Sequence, residues 1–335
     1  MNIAINGFGR IGRAAFKALL DRPGVNIVAI NDLTDTNTLA HLLKYDSCYG
    51  IYNRSVKSTA NSLIVNNKSF PVLAEKDPAR LPWKKFKVDV VIESTGRFTD
   101  PLAAGAHLKA GAKKIILSAP AKGKGAKTLV LGVNEQKITR QDNIISMASC
   151  TTNCLAPVTD IIRRNFGIEN ALMTTIHSYT ADQNLVDGPH KDLRRARAAA
   201  LSMIPTTTGA AIAATQAIPE LKDRFDGLSV RVPTPVGSLC DSVYVLKKKT
   251  TADKVNKVLS AASRTSRLRG IVTVTNDPIV SIDIVGNSAS AIVDLSLTTV
   301  IGGNLLKVIA WYDNEWGYSN RLADLCVYLK KKKLV

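Results

Sequence analysis

Long apolar runs are missing from this 335-residue sequence. No stretch approaches the ~20 apolar residues that a membrane-spanning helix needs, which excludes an integral helical membrane protein. Cysteine is scarce, with five in the whole chain. An odd number at that density argues against a disulfide framework and for free thiols in a reducing compartment. The opening Met1-Asn2-Ile3-Ala4-Ile5 lacks the basic-then-apolar layout of a secretory signal, so a cytoplasmic location is expected. Acidic residues are outnumbered, 27 Asp and Glu against 45 Lys and Arg, leaving a net charge of +18. Such an excess suits either nucleic acid or small phosphorylated anions. The longest basic run, Lys330 to Lys333, has no interleaved aromatics and reads as a solvated tail, so nucleic acid is not expected as the main partner. No internal repeat is visible, and no His and Cys residues have zinc-ligand spacing, so no metal is expected.

What is present is a globular composition, 45% hydrophobic and 21% charged, in a chain long enough for about two domains. The first third alternates short apolar runs with helical patterns. Asn2–Ile5 and Val25–Ile30 read as strands around a helix from Ile11 to Asp21, with Pro23-Gly24 as the turn. Val88–Ile92 and Lys114–Leu117 read as buried strands, joined by a helix over Leu102–Ala112. This alternation predicts an open parallel sheet with helices on both faces, reaching to about Ser149. From Leu172 the character changes. Met173–Ile176, Leu228–Val232, Ser242–Leu246, Val280–Val285, Ala289–Leu297 and Leu306–Trp311 read as strands, with Thr251–Ala262 the clearest helix. The prediction there is an α+β domain with a largely antiparallel sheet. Ser319–Lys331 has helical spacing and is expected to pack back on the N-terminal domain.

The strongest local pattern is Gly7-Phe8-Gly9-Arg10-Ile11-Gly12, directly after a strand and opening a helix. Spaced glycines permit a tight turn, let the backbone approach a pyrophosphate and allow close helix–strand packing, while the helix N-terminus attracts phosphate. Asp32 follows Gly12 by 20 positions at the end of the second strand, where an acid meets the adenosine ribose hydroxyls. A 2′-phosphate would face like charge there, so NAD is favoured over NADP.

A second motif carries a nucleophile. Ser149 is a candidate N-cap, which places Cys150 in the first turn of a helix running to Arg164, where the helix field favours thiolate. Pro157 is expected to weaken or bend that helix. Cys154, one turn on, reads as a small buried hydrophobe. His177, at the end of a strand, is the best-placed partner for Cys150; His41, His107 and His190 have weaker settings. Donors for an anion are available in Arg194, Arg195 and Arg197, in Thr206-Thr207-Thr208-Gly209 opening a helix at Ala210, and in Arg231.

Taken together, these segments resemble the phosphorylating, glycolytic glyceraldehyde-3-phosphate dehydrogenases over essentially the whole chain. The resemblance is carried by Ile5–Arg13, Ala148–Pro157, His177–Thr180, Thr206–Ala211, Arg231–Pro235 and Trp311–Tyr318. It implies an α/β chain. A Rossmann-type doubly wound parallel sheet would occupy 1–148, completed by a C-terminal helix in 315–335, with the α+β catalytic domain at 149–314. It implies that Cys150 attacks the aldehyde of glyceraldehyde 3-phosphate to give a thiohemiacetal, assisted by His177. Hydride then passes to NAD, and inorganic phosphate cleaves the thioester. By the same resemblance Thr180, Arg195 and Arg231 hold the substrate's phosphate, while Ser149, Thr151, Thr208 and Gly209 hold the attacking phosphate. Arg10, Ile11, Asp32, Lys76, Ser118 and Asn314, with Gly7, Gly9 and Gly12, hold the cofactor. A homotetramer is implied, in which the loop from about Ser178 to Ile204 contacts a neighbour. The sequence departs from the family pattern at Met147, in Val236–Cys240 and at Gly188-Pro189. The competing reading is an erythrose-4-phosphate dehydrogenase, which shares the Cys and His but releases its product by hydrolysis.

Overall fold

Ile3, Ala4 and Ile5 are wholly buried, and so are Val90, Val91 and Ile92. Consecutive residues covered on both faces are what central strands of a parallel sheet require. The computed structural model describes residues 1–335 and resolves into two units. One comprises Met1–Leu129, Gln136–Ala148 and Ser319–Val335; the other comprises Val130–Glu135 and Ser149–Tyr318.

The first unit holds a nine-stranded sheet. Its order from one edge is Lys127–Thr128, Ile144–Ser146, Lys114–Leu117, Val90–Glu93, Asn2–Asn6, Asn26–Asn31, Lys68–Leu73, Ser62–Val65 and Val56–Thr59. The first seven run parallel. The chain leaves Asn2–Asn6 toward one side of the sheet and later returns on the other, so this strand marks the switch point where α/β sheets bind ligands at the strands' carboxyl ends. The expected parallel sheet is extended at this edge by a hairpin, because Ser62–Val65 pairs antiparallel with both its neighbours. Asn66 and Asn67, both left-handed at φ +47° and +64°, form the tight turn that makes this hairpin. The expected helix over Leu102–Ala112 is instead two four-residue turns, Pro101–Ala104 and Ala106–Lys109, on either side of the weak helix former Gly105.

The C-terminal helix, Trp316–Lys331, is tied into this unit from Ser319 onward by an Arg22–Asp324 ion pair at 2.8 Å. Lys330 is not simply solvated, since its ammonium donates to the Gly24 carbonyl at 2.7 Å.

The second unit holds a seven-stranded sheet ordered Ile204–Thr207, Phe225–Val232, Ile168–Ser178, Ser238–Leu246, Leu305–Tyr312, Ala291–Ile301 and Val272–Thr275. It is largely antiparallel; only Ile168–Ser178 with Phe225–Val232 and Val272–Thr275 with Ala291–Ile301 run parallel. Helices Cys150–Phe166, Ala210–Ala217 and Ala252–Ser263 pack on it through one core that includes Leu155, Ile162, Ala214, Leu259 and Tyr244. Val130 and Val133 enter the same core, which is why their segment joins this unit and not the first. The strand expected over Val280–Val285 is a 3-10 turn, Ser281–Ile284. The Asp283 carboxylate accepts the Val280 N–H at 2.8 Å, which closes the turn and outweighs the β-branched composition.

Candidate active site

The Cys150–Phe166 helix begins where its sequence predicts. Ser149 is its extended N-cap, and its Oγ accepts the Thr152 N–H at 3.0 Å. The preceding Ala148 is a buried, non-glycine residue in the left-handed region at φ +53°, a conformation that costs energy and turns the chain sharply ahead of the nucleophile. As the pattern to Arg164 predicts, the helix continues through Pro157. Every residue from Thr151 to Ile162 is buried, so tertiary packing outweighs the local cost of proline. Cys150 is partly exposed, whereas Cys154 is wholly buried, as its hydrophobe reading requires.

His177 sits one residue before the end of the Ile168–Ser178 strand and is only 4% exposed. Its Nε2 lies 3.4 Å from the Cys150 sulfur. Its Nδ1 lies 2.6 Å from the Ser178 carbonyl oxygen. Two lone pairs would repel at that separation, so Nδ1 carries the hydrogen and donates it, leaving Nε2 as the acceptor facing the thiol. Arg231 donates to the same carbonyl at 3.1 Å and lies 3.0 Å from Nδ1.

Burial disfavours charge on either partner alone. It pushes the thiol up to about 11, against the opposing pull of the Arg231 charge and of hydrogen bonds from Thr151. It also pushes the imidazole down to about 3, assisted by Arg231 and resisted by the Ser178 carbonyl. A proton passed from Sγ to Nε2 creates no net charge and leaves two opposite charges in contact. The pair therefore resists separate ionisation while permitting internal transfer.

Cationic groups converge on this pair. Arg231 is partly buried, and its Nε is enclosed without a hydrogen-bond partner. Arg195 is held by the Asp182 carboxylate, by Thr206 Oγ1 at 2.9 Å and by the Thr207 carbonyl at 3.2 Å. Both arginine charges act on His177. The neighbouring arginines are engaged elsewhere: Arg194 donates to the Pro205 carbonyl and Arg197 pairs with Asp187. A second convergence lies at two helix N-termini. The Thr152 hydroxyl donates to the Ala210 carbonyl at 3.3 Å, joining the start of Cys150–Phe166 to the start of Ala210–Ala217. Ser149 caps one helix; Gly209, exposed and open on its Cβ side, heads the other, where Thr208 Oγ1 accepts the Ala210 N–H. Helix starts brought together in this way attract an anion. Thr151 lies next to the sulfur, and its hydroxyl is 2.8 Å from that of Tyr312.

The first unit carries the nucleotide-type turn. Gly7 is left-handed at φ +90°, and a Cβ there would meet the Thr95 nitrogen at 2.6 Å. A Cβ on Gly12 would strike the Gly7 carbonyl at 2.1 Å, so the strand–helix crossing requires both glycines. Gly9, by contrast, has nothing within 4 Å on its Cβ side and faces open space. A cavity of about 350 Å³ lies beside it, lined among others by Gly7, Asp32 and Lys76. Asp32 accepts from Phe8 N at 2.6 Å and Thr34 N at 2.9 Å, which locks the carboxylate at the strand end. Lys76 is exposed, and Arg10 pairs with Asp46 at 3.3 Å. Ser118 follows the Lys114–Leu117 strand at the same edge of the sheet but does not line this cavity, and neither does Ile11, in the first turn of the helix.

Asn314 lies in the second unit. Its Oδ1 accepts from Gly237 N at 3.1 Å and Ser238 Oγ at 2.9 Å, which orients its NH2 the other way. The same stretch accepts the Ser178 N–H through Ser238 Oγ and the Ser178 hydroxyl through the Gly237 carbonyl. Sequence reasoning marked Val236–Cys240 only as a departure; the structure makes it the support of Asn314 and of the residue next to His177. It also passed over Asn31, Glu75 and Thr95 in the cavity wall. Asn31 and Thr95 follow the carboxyl ends of predicted strands, which is their one sequence signal, and Glu75 follows the Lys68–Leu73 strand, which the sequence reading did not mark.

A family model described as glyceraldehyde 3-phosphate dehydrogenase, C-terminal domain, matches residues 149–314. Another, described as the NAD binding domain of the same family, matches residues 1–101. The chain is 54% identical to a glyceraldehyde-3-phosphate dehydrogenase of Borreliella burgdorferi, over 99% of this chain and all of that protein. It is 52% identical to that of Geobacillus stearothermophilus, over 100% of this chain and 99% of the relative. Against glyceraldehyde-3-phosphate dehydrogenase 1 of Bacillus cereus it is 53% identical, over 99% of each.

Proposed function

The chain belongs to the glyceraldehyde-3-phosphate dehydrogenase family, and from that premise we propose that it oxidises D-glyceraldehyde 3-phosphate to 1,3-bisphosphoglycerate with NAD and inorganic phosphate. The observation that carries this reading is the 3.4 Å contact between Cys150 Sγ and His177 Nε2 beside an arginine with an unpartnered nitrogen.

Cys150 Sγ attacks the aldehyde carbon, and its proton moves to His177 Nε2. The Nδ1–H bond to Ser178 keeps the ring in the tautomer that can accept this proton and steadies the imidazolium that results. That imidazolium then protonates the oxygen of the thiohemiacetal, and Nε2 takes the proton back when that oxygen becomes the thioester carbonyl. Gly7, Gly9, Gly12 and Asp32 would hold NAD together with Arg10, Ile11, Lys76, Ser118 and Asn314; when bound, it supplies the hydride acceptor for oxidation to the thioester. Thr180, Arg195 and Arg231 hold the substrate's phosphate. Ser149, Thr151, Thr208 and Gly209 place inorganic phosphate for attack on the thioester carbonyl, which returns Cys150 to its thiol. A thioester conserves the free energy of oxidation, so water has to be kept from it until phosphate arrives.

The deciding experiment follows NADH formation with aldehyde and phosphate varied independently. The expected result is turnover that requires phosphate or arsenate. Turnover indifferent to both would instead fit the hydrolytic erythrose-4-phosphate dehydrogenase. Five free thiols favour work in a reducing cytoplasm. A homotetramer is supported by the 178–204 segment, where Leu193, Leu201 and Met203 are 75 to 86% exposed in the single chain.

A further inference from the structure

We infer that Glu93 is a positioning residue for NAD: its single carboxylate ties together the turns that wall the cofactor cavity, and His107 and Trp83 hold that carboxylate in place. The inference rests on the reading of the cavity beside Gly9 as the cofactor site.

Glu93 ends the Val90–Glu93 strand and is only 4% exposed. Its Oε1 accepts the Thr95 N–H at 2.8 Å and the Thr95 hydroxyl as well. Its Oε2 accepts from the Asn6 NH2 at 2.5 Å. Asn6 closes the first strand, and its Oδ1 accepts from Asn31 at 2.7 Å. Asn31 in turn bonds the Glu75 N–H and the Glu75 carbonyl, each at 2.9 Å. Asn6, Asn31, Glu75 and Thr95 all line the cavity, whereas Glu93 lies behind them. The turns also touch through the backbone, since Ser94 Oγ donates to the Gly7 carbonyl at 2.7 Å. One carboxylate thus fixes walls that come from separate strand ends relative to one another.

His107 and Trp83 are wholly buried on the far side of this group. The Trp83 indole N–H can only donate, and it lies 2.9 Å from His107 Nδ1, which must accept. The hydrogen of the neutral ring is then on Nε2, 3.1 Å from Glu93 Oε2. An imidazolium would set two N–H groups against each other at Nδ1, so His107 gives Glu93 a hydrogen bond and no counter-charge. The Thr95 hydroxyl takes the Arg97 N–H at 3.1 Å, leaving its own hydrogen for Glu93. Each group bonded to the carboxylate therefore donates to it, which keeps it ionised. A buried charge of this kind adds little to stability, because apolar groups of equal volume do as well or better. What it supplies is orientation: Asn6 and Thr95 can satisfy it in one arrangement only.

The test uses the purified full-length enzyme, with NAD binding followed by calorimetry beside steady-state rates. Glu93→Gln keeps the shape but sets an NH2 against Asn6 and His107 or, if the amide flips, against both Thr95 donors. Kd and KM for NAD should rise about ten- to a hundredfold, as expected when a hydrogen bond to a charged group gives way to facing donors, while kcat at saturating NAD and KM for the aldehyde stay within about twofold. Trp83→Phe leaves the carboxylate and removes only the N–H that sets the His107 tautomer. It should raise Kd for NAD about two- to fivefold, and it decides the question if Glu93→Gln does not fold. A wild-type Kd for NAD in a folded variant, whether or not Tm falls, overturns the assignment, and so does a loss shared equally between NAD and the aldehyde. Asp32→Ala separates the two readings. If it too leaves Kd for NAD unchanged, the cofactor is not in this cavity; if it weakens NAD while the Glu93 and Trp83 variants do not, only the role of Glu93 falls.

Discussion

At the scale of single residues, the chemistry rests on groups whose charge is costly in isolation. Burial raises the Cys150 thiol to about 11, so removing its proton acceptor should leave a sluggish nucleophile at neutral pH. For His177→Asn, alkylation of Cys150 by iodoacetamide is expected to slow about tenfold or more at pH 7 and to recover only as pH rises into the alkaline range. Superimposable rate–pH profiles for variant and wild type would remove His177 from the proton transfer. Asp32 serves both the turn and the ligand, since it accepts the Phe8 and Thr34 N–H groups. Asp32→Ala should therefore bind NAD more weakly and reject NADP less. An unaltered NAD-to-NADP ratio of kcat/KM would place the discrimination elsewhere. Cys150 and Asp32 were legible in the sequence because each lies at a fixed offset from a local signal, an N-cap or a glycine turn. The tautomer of His177 was not, because it is set by the Ser178 carbonyl at 2.6 Å, which no local pattern announces.

Among the elements, glycine geometry and buried charge decide more than propensity does. Gly237 is left-handed at φ +93°, and a Cβ would meet the Ser281 carbonyl at 2.6 Å. Gly237→Ala is expected to cost about 1–3 kcal/mol, lowering Tm, and to raise KM for NAD by disturbing Asn314. A variant with unchanged Tm would show that the loop yields. The Cys150–Phe166 helix buries Asp160, which accepts from Arg163, Arg164 and Arg267. Burial alone would raise this carboxyl, but the arginine bonds outweigh it and hold it below the usual range. Its stabilisation is thus present above the ordinary carboxylate pKa and lost as pH falls through the lowered one. Asp160→Asn should cost about 3 kcal/mol at neutral pH, with a shallower acid limb in the stability–pH curve. Strands with a single buried face or a continuous apolar run were legible from sequence. Elements made by side-chain bonds, such as the Asn66-Asn67 turn and the Asp283-closed turn, were not, since composition does not say where a carboxylate or an amide will point.

For the molecule as a whole, the exposed apolar side chains of the 178–204 segment predict association. Leu201 is 86% exposed, and Leu201→Asp should shift the sedimentation profile toward smaller species while a mutation on the lysine tail leaves it unchanged. A monomeric wild type would discard the assembly. The two fold classes were visible as a change of strand character from Leu172 onward, but the exact partition was not. The backbone passes from one unit to the other at 129/130, 135/136, 148/149 and 318/319. No single cut therefore releases either half as a continuous piece. Deleting the last 17 residues, which by length resemble a dispensable tail, would strip the first unit of its closing helix, so a stop codon there should act like a core lesion and yield insoluble protein.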